Sequence, residues 1–480
     1  MSTRKRSSKR EASQPPASGR KPTQLSKQDV AVSLEALLAY HREIRLLFQR
    51  REQREWSFFY LCGQLSHLER KTIEVMVLHL LGAKPRLIRA VQQFMGQSAW
   101  AVEPFVKRIQ HLVAQWLGEA DGVVIVDGSG FPKQGNASVG VAYQYCGHVG
   151  KLANCQEGVF LVYASRKGYA FLDERLYMPE DWFDAAHQTL RARCGVPTRL
   201  TFQTEPALGL EMIQTVLERG EVPFRWVTCD ETYGKNPAFL DGIADLGKLY
   251  LAEVPKDTGV WVRTPTVEPP GPGLLGRPRL HPRVKRTAPA PQEMQALRAQ
   301  LPERSWQRQT IKEGSKGPLA VEFAFLRVTP VRNKLPGERC WAIFRRSLGP
   351  EPEIKFYLSN APATCPHTEL IRLSGMRWPV ETTFEEGKGE VGMDHYQLRS
   401  WSGWHHHMVQ TFLAHLFLIR LRLLFQKKSS ADNCASAPID CLRARRRIGR
   451  LTRHFEHSAL PATPQPCGLL FTPQTHAGAA

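Results

Sequence analysis

The sequence predicts a mixed α/β protein with a helical N-terminal domain, a mixed sheet and a β-rich insertion. Three observations predict it. From about residue 30 to 118 apolar residues recur at helical spacing; from 121 they condense into short runs between glycine-rich turns. After a stretch rich in Pro, Gly and Arg (264–292), further strand-like runs precede a last helical segment.

Residues 1–28 hold Arg4, Lys5, Arg6, Lys9 and Arg10 among Ser, Pro and Gly, with no apolar stretch behind them. This excludes an ordinary signal peptide and reads as a disordered basic arm, either contacting phosphate or simply solvated. In the helical domain, 30–118, the marks of successive helices are Leu34, Leu37 and Leu38, then Ile73, Met76 and Leu80, then Val91 and Phe94. Lys84-Pro85-Arg86 breaks the run, and a further helix lies between Trp100 and Trp116. Its scattered Arg and Lys suit a DNA-binding bundle; a plain helical support is the other reading.

Three strands follow, over 123–127, 139–145 and 159–164. Thr204-Glu205-Pro206 reads as a cap with proline in the first turn, opening a helix to about Arg219. Next come a strand ending at Asp230, a short helix near 237–246 and a strand over 248–254. Three strands, helix, strand, helix, strand is the order of a ribonuclease-H-like mixed sheet, whose first part spans 121–263. Runs at 319–328, 340–345 and 354–359 form the β-rich insertion, which with its linker covers 264–365. Residues 366–426 complete the core, with one helix to about Val391 and another from near Trp404. The apolar segment from Phe412 to Phe425 carries His415, Arg420 and Arg422, so it reads as a buried or amphipathic helix and not as a membrane span. Residues 427–480, with Arg443, Arg445, Arg446, Arg447 and Arg450, read as a basic, flexible tail.

At 480 residues the chain has room for two or three cores. Lys and Arg number 65 against 45 Asp and Glu, a formal charge of +20. That balance favours a polyanionic partner, nucleic acid ahead of an anionic membrane surface. The ten cysteines form no CxxC pair, so zinc-finger and disulfide frameworks lack support and reduced thiols in a cytosolic protein are expected.

Three acids carry the chemistry. Asp127 closes the apolar run Val123-Val124-Ile125-Val126, and Asp230 closes the run from Phe224 to Cys229. Glu381 follows Arg377-Trp378-Pro379-Val380, where Pro379 suits the first turn of a helix and the helix dipole favours an ionised carboxylate. Two strand-end aspartates and one helix-borne glutamate can converge on two magnesium ions, with manganese as a substitute, the ions of metal-dependent phosphodiester chemistry. Lys388 lies about two turns beyond Glu381 and returns to its face, placed to hold a phosphate. Arg377 can grip phosphate with a forked pair of hydrogen bonds. Trp378 either stacks on an exposed base or packs in the core. Lys133, just past the first strand, is either a phosphate contact or surface charge, and so is Lys256.

Arg377, Glu381 and Lys388 together form R-x3-E-x6-K, and in this the chain resembles bacterial insertion-sequence transposases of the DDE class. The wider signature of their IS-four superfamily has a tyrosine where this chain has Ser374. Val126-Asp127-Gly128-Ser129-Gly130-Phe131-Pro132-Lys133, Trp226-Val227-Thr228-Cys229-Asp230, Val254-Pro255-Lys256 and the run from Gly392 to Trp401 resemble the IS-seven-hundred-and-one group of that superfamily. The resemblance spans roughly 55–425. It implies a ribonuclease-H-like core with Asp127, Asp230 and Glu381 as the metal-binding triad. It also implies an enzyme that cuts at the terminal inverted repeats of its element and joins the 3′ ends to target DNA. The expected partners are element ends and target DNA, with no membrane, and a dimer assembled on paired ends in the cytoplasm at the nucleoid. Relatives carry Lys where Glu205 stands, which removes one phosphate contact here.

Rival assignments exist. Glu385 or Glu386 could supply the third acid, Asp121 reads as a solvated turn residue, and Glu231 points away from Asp230 if the strand continues. His405, His406 and His407 read as a solvated or DNA-facing patch, since three consecutive helical residues cannot face one metal. The other function class is a DNA-binding protein without catalysis, either a decayed copy or an inhibitor of transposition; a general nuclease or RNA-binding protein is a third.

Overall fold

The computed structural model describes residues 27–271, 279–314 and 317–431. The expected basic arm and basic tail lie almost wholly outside the described residues. Five helices open the chain: α1 (Lys27–Ile44), α2 (Arg51–Leu65), α3 (Ile73–Leu81), α4 (Pro85–Gly96) and α5 (Glu103–Leu117). Then come β1 (Val123–Pro132), β2 (Ala142–Cys146), β3 (Lys151–Ser165), β4 (Gly168–Tyr177), α6 (Gln188–Cys194) and α7 (Glu205–Arg219). β5 (Trp226–Cys229), α8 (Glu231–Gly234), α9 (Pro237–Asp245) and β6 (Leu249–Glu253) follow. Small elements come next: β7 (Gly259–Trp261), β8 (Val267–Glu268), β9 (Arg283–Val284), β10 (Gln292–Glu293) and α10 (Met294–Ala299). Longer strands return with β11 (Gln307–Gly314), β12 (Gly317–Arg332), β13 (Leu335–Pro336), β14 (Cys340–Ser347) and β15 (Ile354–Ser359). Three helices end the described chain: α11 (His367–Gly375), α12 (Trp378–Val391) and α13 (Trp401–Ala431).

All the strands but β8 and β9 form one mixed sheet, ordered β10-β7-β12-β14-β15-β6-β5-β1-β3-β2, with β4 on β3 and β11 and β13 on β12; β8 and β9 pair only with each other. β1, β5 and β6 run parallel, while β3 is antiparallel to β1 and β15 antiparallel to β6. Apart from β8 and β9, the strands between Asp230 and Glu381 therefore extend the same sheet from the edge of β6.

The strand expectations need two corrections. The predicted strand at 139–145 is displaced: β2 covers Ala142–Cys146 and pairs only with β3, at the end of the sheet. The third core strand is instead β4, whose Asp173-Glu174-Arg175 hides its apolar rhythm in the sequence. Those charges are buried in pairs: Arg175 donates to Asp173 at 2.9 Å, and Glu174 holds His405 at 2.8 Å.

Thr204 caps α7 by accepting the Ala207 N–H, and Pro206 stands in its first turn. α7 packs on one face of β1, where Gly209 lies against Val126. α12 and α13 cover the other face, with Phe160 of β3 against Phe384 and Phe412. α13 is apolar and long enough by composition to cross a membrane, yet it is enclosed by the fold, with Met408, Val409 and Leu418 fully buried. The N-terminal helices seal it. The Tyr40 hydroxyl donates to the Leu413 carbonyl at 2.9 Å, and Gln64 donates to Thr411 at 2.8 Å.

This burial overturns the solvated or DNA-facing reading of the three histidines. His406 stacks on Trp100 with ring centroids 3.6 Å apart, and its nitrogens meet the Met95 and Trp100 carbonyls. His407 bonds the Tyr60 hydroxyl and the Met393 carbonyl. The helices packed on the start of α13 leave no solvated face for them, and burial pushes the pKa of His406 down to about 4 and that of His407 to about 3.

Candidate active site

β1 and β5 pair in parallel with Val126 beside Cys229, so Asp127 and Asp230 occupy the next equivalent step on adjacent strands. β5 ends there: Asp230 caps α8, accepting the Thr232 N–H at 2.9 Å and the Thr232 hydroxyl at 3.2 Å. Asp127 accepts the Gly128 N–H at 2.8 Å. Glu381 sits in the first turn of α12. Arg377, at the cap of that helix, ties the acids together: its guanidinium lies 2.9 Å from Glu381, 3.7 Å from Glu253 and 3.9 Å from Asp127. The guanidinium expected to grip phosphate is thus engaged with carboxylates in the chain alone.

Glu253 was not singled out in the sequence. It follows Ala252, which pairs with Cys229, so it is the third acid in a row across β1, β5 and β6. Lys355 of β15 holds it with bonds of 2.9 and 3.2 Å. Only the sheet order reveals the alignment; the one sequence signal is an acid near the end of an apolar run, two residues before Pro255.

Burial first, and then the charge of Asp230, hold the Asp127 carboxyl above the usual carboxylate range; Arg377 and the Gly128 N–H oppose this. On the other face of β1, Glu157, Glu205 and Tyr233 crowd around Gly128. A side chain there would begin 3.0 Å from a Glu157 oxygen, 3.6 Å from Glu205 and 3.8 Å from the Tyr233 hydroxyl. Burial and Glu205 push Glu157 up to about 8. A carboxyl whose pKa is higher folded than unfolded keeps its proton longer in the fold, so stability falls as pH rises between the two values. In chelator Glu157's own contribution to stability therefore falls from about pH 4.5 to about pH 8, so the melting temperature of Glu157→Gln rises relative to that of the wild type over this range, by a few degrees. Superimposable pH profiles for the two proteins would refute this.

The other predicted residues fall as follows. Trp378 is 54% exposed, which removes the packed-core reading. Lys388 reaches the Gly130 carbonyl at 3.4 Å and lies over the Phe131 ring. Lys133 turns inward, its ammonium 3.3 Å from the centre of the Tyr396 ring, and burial pulls its pKa down to about 7. Glu386 is taken up by Tyr169 and His415 at 2.8 and 2.9 Å, which removes it as a rival third acid. Asp121 pairs with Arg166 and Arg372. Ser374, at the position of the superfamily tyrosine, is buried and donates to the Ile371 carbonyl.

Among the described residues no three His, Cys, Asp or Glu side chains stand close enough together to chelate one ion. The donor set nevertheless fits a hard divalent cation. It is all carboxylate oxygen, and in the chain alone a positive group, Arg377, already lies among these acids.

A mixed sheet with aligned acids at the ends of parallel strands, faced by a glutamate on a helix, defines a class of acid-centred α/β proteins. Residues 44–318 match the DDE superfamily endonuclease family, and the chain belongs to it. That match takes in Asp127, Asp230 and Glu253 and ends before Glu381. The chain is 22% identical over 345 residues to a probable transposase for insertion sequence element IS701 of Microchaete diplosiphon, covering 71% of this chain and 76% of that one. Among solved structures it is similar to the piggyBac transposase synaptic complex with hairpin DNA, at 8% identity and a TM-score of 0.40, covering 89% of this chain and 80% of that one. It is also similar to the NurA nuclease of Sulfolobus solfataricus, at 11% identity and a TM-score of 0.25, covering 69% and 93%.

Proposed function

We propose that the chain is a DNA transposase that cuts at the terminal inverted repeats of its own insertion sequence and joins the freed 3′ ends to target DNA. The observation that carries this reading is the parallel register of β1 and β5, which sets Asp127 and Asp230 side by side, with Arg377 joining Asp127 to Glu381. Membership of the DDE superfamily endonucleases and the likeness to an insertion-sequence transposase support it. The order β1, β3, β4, α7, β5, α9, β6 supports a ribonuclease-H-like core, with the α1–α5 region as a helical domain that contacts DNA.

Asp127, Asp230 and Glu381 are the residues we assign to hold two divalent ions, Mg2+ or Mn2+. When bound, such ions activate the attacking oxygen and stabilise the leaving one. The two aspartates hold from strand ends and Glu381 from a helix start. Lys388 steadies a phosphate from two turns further along α12, and Trp378, half exposed, stacks on a base at the site. Hydrolysis at the element's end is followed by attack of the 3′ hydroxyl on target DNA, in line at phosphorus and without a covalent enzyme intermediate. Two ends must be paired, so two copies assemble on DNA, in the cytoplasm at the nucleoid.

The test is cleavage of a duplex carrying the terminal repeat that flanks the gene. It is cut in Mg2+ or Mn2+, bound but uncut in Ca2+, and left whole in chelator. Full cutting in chelator would end this reading.

A further inference from the structure

Between Asp127 and Glu157 the sequence contains no carboxylate side chain. In the structure this stretch builds an arm. β1 stops at Pro132 opposite Cys155, and β4 pairs with β3 only from Glu157 onward. The first four residues of β3 (151–154) therefore pair with β2 alone, as a two-stranded ribbon that runs past the end of the catalytic strand.

One face of this ribbon is unusual. Tyr143 is 74% exposed, Tyr145 64% and Leu152 56%. Tyr145 lies opposite Leu152 and Tyr143 opposite Asn154, so the three large side chains are neighbours. They are also on the face of Asp127. Asp127 pairs with Phe160, and Asn154 and Leu152 lie six and eight residues before Phe160, an even step in a strand. Singly exposed large apolar side chains need no explanation, but two tyrosines and a leucine together on a projecting edge call for a partner.

The root of the arm is fixed. The Lys133 N–H donates to the Asn154 carbonyl at 2.8 Å, and the Asn154 side chain donates to the Lys133 and Gly135 carbonyls at 3.0 Å. The buried Gln156 side chain donates to the Val139 carbonyl. At ~3.3 Å per residue, the tyrosines stand about 20 to 26 Å from Asp127 along β3. In a duplex rising ~3.4 Å per base pair, that is six to eight base pairs.

We propose that the β2–β3 ribbon is a DNA-contacting arm that enters the major groove of the duplex held at Asp127, six to eight base pairs from the bond that is cut. The proposal rests on the transposase reading above and adds to it where, and with what, the flanking duplex is gripped. A two-stranded ribbon fits the major groove in width. The arm is free of acids and carries the exposed Lys151, so it meets a polyanion without repulsion. Tyrosine hydroxyls donate to phosphates, and the rings with Leu152 offer apolar contact to base edges such as the thymine methyl.

The test is dimethyl sulfate protection, which reads guanine N7 in the major groove. The probe is a duplex carrying the gene's own terminal repeat, bound by the full-length Asp127→Asn protein so that no cutting intervenes. That protein protects guanines at the cut point and again six to eight base pairs away. Adding Tyr143→Ala and Tyr145→Ala removes the distal protection, keeps that at the cut point and weakens binding about tenfold. Tyr143→Phe with Tyr145→Phe keeps the distal protection. Because the tyrosines are exposed, the melting temperature stays unchanged in both. Unchanged distal protection and affinity in the alanine pair would overturn the arm while leaving the transposase reading intact. So would a DNA-free dimer that the alanine pair converts to monomer, which would make the ribbon a contact between copies. Absence of any end protection by the parent protein would overturn both.

Discussion

An Asp230→Ala protein binds the terminal duplex as the wild type does and cuts it at least ~100-fold more slowly, a loss above that of merely disturbing the surroundings of a metal ligand. The geometry explains the split between binding and cutting. Asp230 spends its hydrogen bonds on Thr232 at the start of a four-residue helix, and among the described residues no basic side chain is ion-paired to it. Its removal frees one helix cap, worth about 1 kcal/mol, and leaves the basic surface intact. What it takes away is one of two carboxylates held at equal height on neighbouring strands. Gel-shift and cleavage assays on one preparation measure both properties, and equal losses in both would mean that Asp230 supports the fold or the DNA surface instead.

The second large effect is expected at Arg377. Its guanidinium is three-quarters buried and paired to three carboxylates, Asp127, Glu253 and Glu381. Arg377→Ala leaves those acids facing one another, and because Glu381, its hydrogen-bonded partner, is nearly half exposed, the loss is about 1–3 kcal/mol. In chelator the variant therefore melts well below the wild type. A divalent cation supplies the missing charge, so Mg2+ or Mn2+ raises its melting temperature by more than it raises that of the wild type. Thermal melts with and without metal check this; an equal metal response in both proteins would show that the acids near Arg377 do not take up the ion.

Much of the site could be read from local pattern. Asp127 and Asp230 each close an apolar run, and Glu381 stands behind a proline that opens a helix; these are features of a few consecutive residues. Glu253 lies inside the run 248–254, with Val254 after it, and its place beside Asp230 comes from the pairing of β6 with β5, which no local pattern encodes. β4 was hidden because its buried charges break the apolar alternation, and their partners, such as His405, lie far along the chain. The three histidines differ from their sequence pattern for the converse reason. Polar residues in a row suggest a surface until the helices that enclose them, carrying Tyr60 and Trp100, are in place. Likewise, the sequence marked Lys133 by its charge, and only the fold shows it turned over the Tyr396 ring.

The account's central claim is that Asp127, at the end of the apolar run on β1, belongs to a centre that moves DNA. Its most direct test is excision and reinsertion, in cells, of a marked element bounded by the gene's native flanks, with wild-type protein and Asp127→Asn run side by side. The account predicts movement with the wild type alone. Movement with both proteins would contradict the assignment of Asp127, and no movement with either, despite specific end binding, would contradict the transposase itself.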